Sequence, residues 1–174
     1  MSIRTAALGL AVVALLAVAL QHVDLFGGGG GAGLDVAPGE HLAARVLRVV
    51  DGDTIVVQAR GEVAKVRYIG MDTPESVKPN TPVQCYAKAA SHRNSQLVAG
   101  REVKLVVGAE PHDRYGRLLA YVYPAPTGAM VNATLLREGY ARTLTIAPND
   151  LLAGQFAELQ KEAQGVPRGL WSHC

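Results

Sequence analysis

The chain has 174 residues, a formal net charge of +2 and 49% hydrophobic residues. That length suits one compact domain with a tail rather than two full domains, and the small charge excludes a strongly basic binder working through its overall field. Two cysteines are enough for one disulfide and too few for a cysteine-based metal site.

Part of the apolar excess sits at the N-terminus. Thr5 to Leu20 runs without a charge behind Arg4 and breaks at the polar pair Gln21-His22. A short basic start, an apolar stretch and a polar break make an export signal, and Ala17-Val18-Ala19 offers a small-x-small cleavage site. The alternative is an uncleaved membrane anchor, with Val23 to Phe26 extending the run toward the ~20 residues that span a bilayer. A buried core helix is the blander reading, and the absence of an amphipathic face speaks against it. Residues 1–26 are therefore expected to be a signal peptide or anchor, which puts the rest of the chain outside the cytoplasm. Gly27 to Gly33 contains six glycines and one alanine and cannot bury a core. Residues 27–40 thus read as a linker, and 41–174 as the folded domain.

Within the body, Leu42 to Val50 reads as a strand, and so does the β-branched run Thr54 to Ala59, with a turn at Arg60-Gly61-Glu62. Val63 to Ile69 alternates, putting Ala64, Val66 and Tyr68 on one face and Arg67 on the other. Pro74, Pro79 and Pro82 make Asp72 to Pro82 a long loop. Gln84 to Ala99 is predicted helical and is stopped by Gly100. Arg101 to Val107 and Leu118 to Tyr123 read as the fourth and fifth strands, on either side of the polar loop Glu110 to Gly116. Val131 to Glu138 is a short helix. Asp150 to Gln164 is a longer one, with Asp150 available as its cap and Leu151, Leu152, Phe156 and Leu159 on its buried side. Five short strands with a helix between the third and fourth point to an α+β, mainly β fold: a small closed or partly open barrel of the oligonucleotide-binding kind (OB-fold). Alternation leaves the strand order open.

The chemistry lies in Asp51-Gly52-Asp53-Thr54, Arg67, Asp72-Thr73-Pro74-Glu75 and Asp113-Arg114-Tyr115-Gly116-Arg117. Taken singly, each has an ordinary reading: an Asp-Gly pair before a strand is usually a turn, and a lone strand arginine is usually a surface charge. Together, Asp51, Asp53, Asp72 and Glu75 are four carboxylates at loop and strand ends, in a region that supplies no His or Cys ligands. Hard oxygen donors suit Ca²⁺ or Mg²⁺ and argue against zinc. Arg67 and Arg117 add planar, permanently charged groups suited to bidentate contact with phosphate oxygens. Carboxylates, a hard cation and paired arginines are what phosphodiester hydrolysis needs.

In this order and spacing, the four motifs resemble the staphylococcal nuclease family. The likeness runs from about His41 to Trp171 and includes Met130-Val131-Asn132 and Gly169-Leu170-Trp171. The resemblance implies a five-stranded OB-fold barrel with three helices. It also implies a calcium-dependent nuclease that cuts DNA, RNA or both and leaves 3′-phosphate ends. Asp53, Asp72 and the carbonyl of Thr73 would hold one Ca²⁺, with Asp51 touching it through water. Glu75 would position and deprotonate the attacking water, Arg67 and Arg117 would bind the scissile phosphate, and Arg114 and Tyr115 would contact the substrate. The partner is a nucleic-acid substrate, the protein is expected to be a monomer, and residues 5–26 offer a membrane anchor. The competing reading is a binding module of the same fold that has lost catalysis, but such a module would lack several of these side chains.

Two departures from the family pattern bear on substrate grip. The loop Ser76 to Pro82 carries one lysine where the family has several, and Thr145 stands where the family has a base-stacking aromatic residue. Export together with the family's packing of Trp171 also implies a disulfide between Cys85 and Cys174, pinning the C-terminus beside the loop that carries Glu75.

Overall fold

Alternation of apolar and polar side chains closes the sheet in the computed structural model, which describes residues 34–76, 82–126 and 128–174. The signal or anchor at 1–26, the glycine run 27–33 and loop residues 77–81 lie outside the described residues. Strand β1 (His41–Val49) buries Leu42, Ala44 and Val46 and exposes the residues between them. β2 (Thr54–Ala59) is buried except at Gln58, and β3 (Glu62–Tyr68) buries Ala64, Val66 and Tyr68, the face expected from its period of two. β5 (Glu102–His112) and β6 (Leu118–Pro124) complete a closed barrel in the order β1-β2-β3-β6-β5, β5 returning to β1. Ile55, Val57, Val66, Leu105, Leu118, Ala120 and Val122 meet in its interior at 0–1% exposure. Each large aliphatic side chain buried in this way contributes roughly 1.5–3 kcal/mol.

All pairings in the barrel are antiparallel except β3 with β6, which run parallel with Arg67 opposite Leu119. A second, two-stranded sheet joins β4 (Met71–Asp72) to β7 (Arg142–Thr143), so the Asp72 segment is tied down where it leaves the barrel. Helix α1 (Ala87–Val98) presents Ala87, Ala90, Asn94 and Val98 to the body, α2 (Val131–Arg137) buries five of its residues, and α3 (Ala153–Gly165) buries Phe156, Leu159 and Ala163. One further turn, α4 (Leu170–His173), closes the chain.

The details depart from the sequence expectations at four places. Residues ahead of His41 already pack on the barrel: Leu34 is buried in the core and Gly39 N–H donates to Val107 O at 3.1 Å. Helix α1 begins at Ala87 rather than Gln84, because Tyr86 takes a positive φ of 69° that a continuous helix excludes. β5 continues to His112, past an irregularity after Val107. α3 starts at Ala153 without a side-chain cap; Asp150 contributes only its backbone carbonyl, and Leu151 is exposed rather than buried.

The docking of α4 requires two glycines. Gly139 and Gly169 sit at positive φ with their backbones in contact, Leu170 N–H donating to Gly139 O at 2.8 Å, and a Cβ on either residue would collide with the other segment. The docked helix brings Cys174 to Cys85, their Cα atoms 6.0 Å apart, and the two are joined in a disulfide.

Candidate active site

The turn between β1 and β2 is held by Val50 N–H donating to Thr54 O at 2.9 Å, which places Asp51 and Asp53 at one end of the barrel. Gly52 is required there by close approach: a Cβ would lie 2.6–2.8 Å from the Thr73 side chain. Thr73 answers by donating both its N–H and its hydroxyl to Asp53 Oδ2, each at 2.8 Å. Thr54 Oγ1 donates to Asp53 Oδ1 at 3.0 Å, and Asp53 N–H donates to Asp51 Oδ1 at 3.0 Å. The first and third motifs, separate in sequence, are therefore one hydrogen-bonded unit.

Arg67 enters this unit from β3, on the face opposite Val66 and Tyr68. Its guanidinium pairs with Asp53 through Nη1 and donates from Nη2 to Asp72 Oδ1 at 2.6 Å. The arginine and Asp53 side chains are only 12% and 7% exposed, so this is a mostly desolvated pair, whereas Asp72 opens to solvent. Burial works against the charge on Arg67, but Asp53 and Asp72 outweigh it and hold its pKa above the usual value. Burial, and next the charge of Asp53, push the Asp51 carboxyl up to about 6. Burial also raises Asp72, against the pull of Arg67.

Arg117, just before β6, lines the same cleft as Arg67, its strand lying parallel beside β3. Asp113 fixes it: Arg117 Nε donates to Asp113 Oδ2 at 2.6 Å, while the N–H groups of Arg117 and Tyr115 donate to Oδ1 at 3.0 and 2.9 Å. The Tyr115 ring lies under both Arg114 and Arg117, with the guanidinium carbons 4.8 and 5.4 Å from its centroid, and is itself exposed.

Asp51, Asp53, Arg67, Asp72, Thr73, Glu75, Tyr115 and Arg117 line a single cleft of about 320 Å³. Every sequence-predicted site residue except Arg114 and the two cysteines meets there. Arg114 lines the adjoining cleft of about 540 Å³, which Arg67, Tyr115 and Arg117 share and whose far wall is Leu144, Ile146 and Asn149. Thr145, between those two apolar residues, is exposed and not part of that wall, so its neighbours rather than Thr145 meet whatever enters. The donor set fits a hard divalent cation, because Asp53 and Asp72 already converge on one positive group, Arg67. Among the described residues no three His, Cys, Asp or Glu side chains form a ready-made metal cage. A cation here would rest on two carboxylates, a backbone carbonyl and water.

Three supporting residues were assigned no role from the sequence. Asn94, fully buried on α1, donates to the Asp51 carbonyl at 2.9 Å and accepts from Tyr68 OH at 2.9 Å. A polar residue in the otherwise apolar stripe Ala87, Ala90, Asn94, Val98 was the signal for it. Asp113 lay inside a quoted motif. Gln84, which hydrogen-bonds Glu75, carried no signal.

The model of the family described as staphylococcal nuclease homologue matches residues 65–173 of this chain. The thermonuclease of Staphylococcus intermedius is 41% identical over 159 residues, 91% of this chain and 92% of that protein. The thermonuclease of Staphylococcus hyicus is 38% identical over 169 residues, 97% of this chain and 98% of its own. The SPbeta prophage-derived endonuclease YokF of Bacillus subtilis is 45% identical over 127 residues, 72% of this chain and 42% of that protein.

Proposed function

The chain belongs to the staphylococcal nuclease family, and from that premise we propose a calcium-dependent hydrolysis of DNA, RNA or both that leaves 3′-phosphate ends. That it is a nuclease, with nucleic acid as substrate, follows from its thermonuclease and endonuclease relatives. The finer reading rests on the convergence of Arg67, Arg117, Asp53, Asp72 and Glu75 on one cleft. Asp53, Asp72 and the Thr73 carbonyl would hold the ion, with Asp51 reaching it through water. When bound, Ca²⁺ supplies positive charge against the phosphate.

The chain's own residues do the rest. Glu75 orients a water molecule and takes its proton as the oxygen attacks phosphorus. The bond from phosphorus to the 5′-oxygen breaks, the oxygen keeping the electron pair and taking a proton from solvent water, which leaves a 5′-hydroxyl on one product and the phosphate on the 3′-oxygen of the other. Arg67 exchanges its carboxylate partners for phosphate oxygens, and with Arg117 it stabilises the charge of the five-coordinate transition state. Arg117 is pre-aimed by Asp113 and Tyr115, so little reorganisation is needed at the moment of reaction. Arg114 and Tyr115 grip the adjoining nucleotide. The enzyme acts as a monomer outside the cytoplasm, with residues 1–26 as signal or anchor; support comes from the apolar run at 5–20 and from the disulfide, a bond that persists in oxidising compartments.

The test is incubation of the purified protein with DNA and with RNA, in Ca²⁺ or in chelator, followed by analysis of product ends. Activity only with Ca²⁺ and 3′-phosphate ends are expected. Full cleavage in chelator, or 5′-phosphate ends, would overturn the reading.

A further inference from the structure

We propose that Gln84 is a positioning residue for Glu75, holding the backbone of the general base from across the base of its loop. The inference rests on the proposed role of Glu75 and extends it to a residue that never touches substrate.

Glu75 N–H donates to Gln84 Oε1 at 2.8 Å, and Gln84 N–H donates back to Glu75 O at 2.9 Å. One residue thus satisfies both backbone groups of Glu75. Because the donor is a backbone N–H, its partner must be the amide oxygen, which fixes the orientation of the Gln84 side chain. Gln84 is in turn held on its other side. Its carbonyl accepts from Ala87 N–H at 3.1 Å, opening the turn that leads into α1. The next residue, Cys85, is bonded to Cys174, and this disulfide, Gln84 and the Asp72-Thr73-Pro74 run share the wall of one small cleft of about 180 Å³.

The segment carrying Glu75 leaves β4 and enters a loop, and among the described residues no strand pairing continues past it. The pair of hydrogen bonds to Gln84 holds its backbone there, with the Ser76 and Ser91 hydroxyls in contact at 3.2 Å one residue further on. Glutamine suits the position for a definite reason. It offers an acceptor on a two-carbon arm long enough to reach the Glu75 N–H from the far side of the loop. A misplacement of 1 Å in a catalytic group costs about 10²-fold in rate, so the grip is expected to show in turnover more than in binding.

The experiment compares Gln84→Leu, Gln84→Glu and Glu75→Gln in the full-length protein, reading kcat and KM on single-stranded DNA and the melting temperature. Gln84→Leu keeps size but removes the acceptor; it should lower kcat by about 10- to 10²-fold, with KM and melting temperature unchanged. Gln84→Glu restores the acceptor and should recover most of that loss. Wild-type turnover in Gln84→Leu, alongside an inactive Glu75→Gln, would overturn the role of Gln84 while leaving that of Glu75 standing. Equal losses in both Gln84 variants, or a fall in melting temperature with the fall in kcat, would mean collapse of the loop and would also overturn it. Wild-type turnover in Glu75→Gln would sink the reading of the base itself.

Discussion

Arg67 holds two jobs at once, and they separate under mutation. In the structure it neutralises Asp53 in a mostly desolvated pair, and in the proposed reaction it binds phosphate. Removing one partner of such a pair leaves an uncompensated buried charge and costs about 3–5 kcal/mol. Arg67→Ala is therefore expected to lower thermal stability as well as activity. Adding Asp53→Asn should recover much of the stability and none of the activity, and paired melting and activity measurements check both. Asp113 gives a prediction with a pH sign. Burial pushes its carboxyl up, but hydrogen bonds from the Arg117 backbone and guanidinium and the Tyr115 backbone outweigh it, leaving the pKa below its ordinary 3.8. A carboxyl depressed in the folded state stabilises above its unfolded pKa and loses that contribution as pH falls through the folded one. Asp113→Asn should thus melt lower than wild type at neutral pH, and the gap should shrink as pH drops below 3.8; a constant gap would show that the hydrogen bonds owe nothing to the charge. The acids and arginines of the site were legible in sequence because they fall in four motifs whose order and spacing together resemble one family's, although each alone has an ordinary reading. Gln84 was not: a glutamine in a loop looks the same whether it holds water or a catalytic backbone.

At the level of elements, α1 serves the site without entering it. Its Asn94 bridges the Tyr68 hydroxyl, which burial keeps protonated, to the carbonyl of Asp51. Asn94→Ala would leave both groups buried and unpaired, at about 1–3 kcal/mol each. A lower urea midpoint, with activity lost through a loosened Asp51 turn, is the expected result; an unchanged midpoint would mean that water fills the gap. The strands were well specified by alternation, as the buried set Ala64, Val66, Tyr68 illustrates. Their neighbours were not, because alternation says which face is buried and nothing about partners; the parallel pairing of β3 with β6 is invisible to it. Helix ends were missed where backbone conformation decided the outcome. Tyr86 at positive φ delays α1, and α3 starts three residues late, leaving Leu151 in solvent.

For the molecule as a whole, a net charge of +2 supplies little attraction for a polyanion; in the proposed function the grip comes from Arg67, Arg114 and Arg117, which line one cleft. The same concentration of function makes the Asp113–Gly116 turn both useful and vulnerable, since Arg114 and Tyr115 stand exposed between β5 and β6. The Cys85–Cys174 bond changes what a cut there would do. It spans 89 positions, so everything from Cys85 to Cys174 is a covalent ring, and one hydrolysed peptide bond in that ring opens it without releasing a fragment. After limited trypsin cleavage at Arg114, one band should run on a non-reducing gel and two once thiol is added. A protease that nicks this enzyme at that exposed turn leaves both halves of the barrel bound to each other.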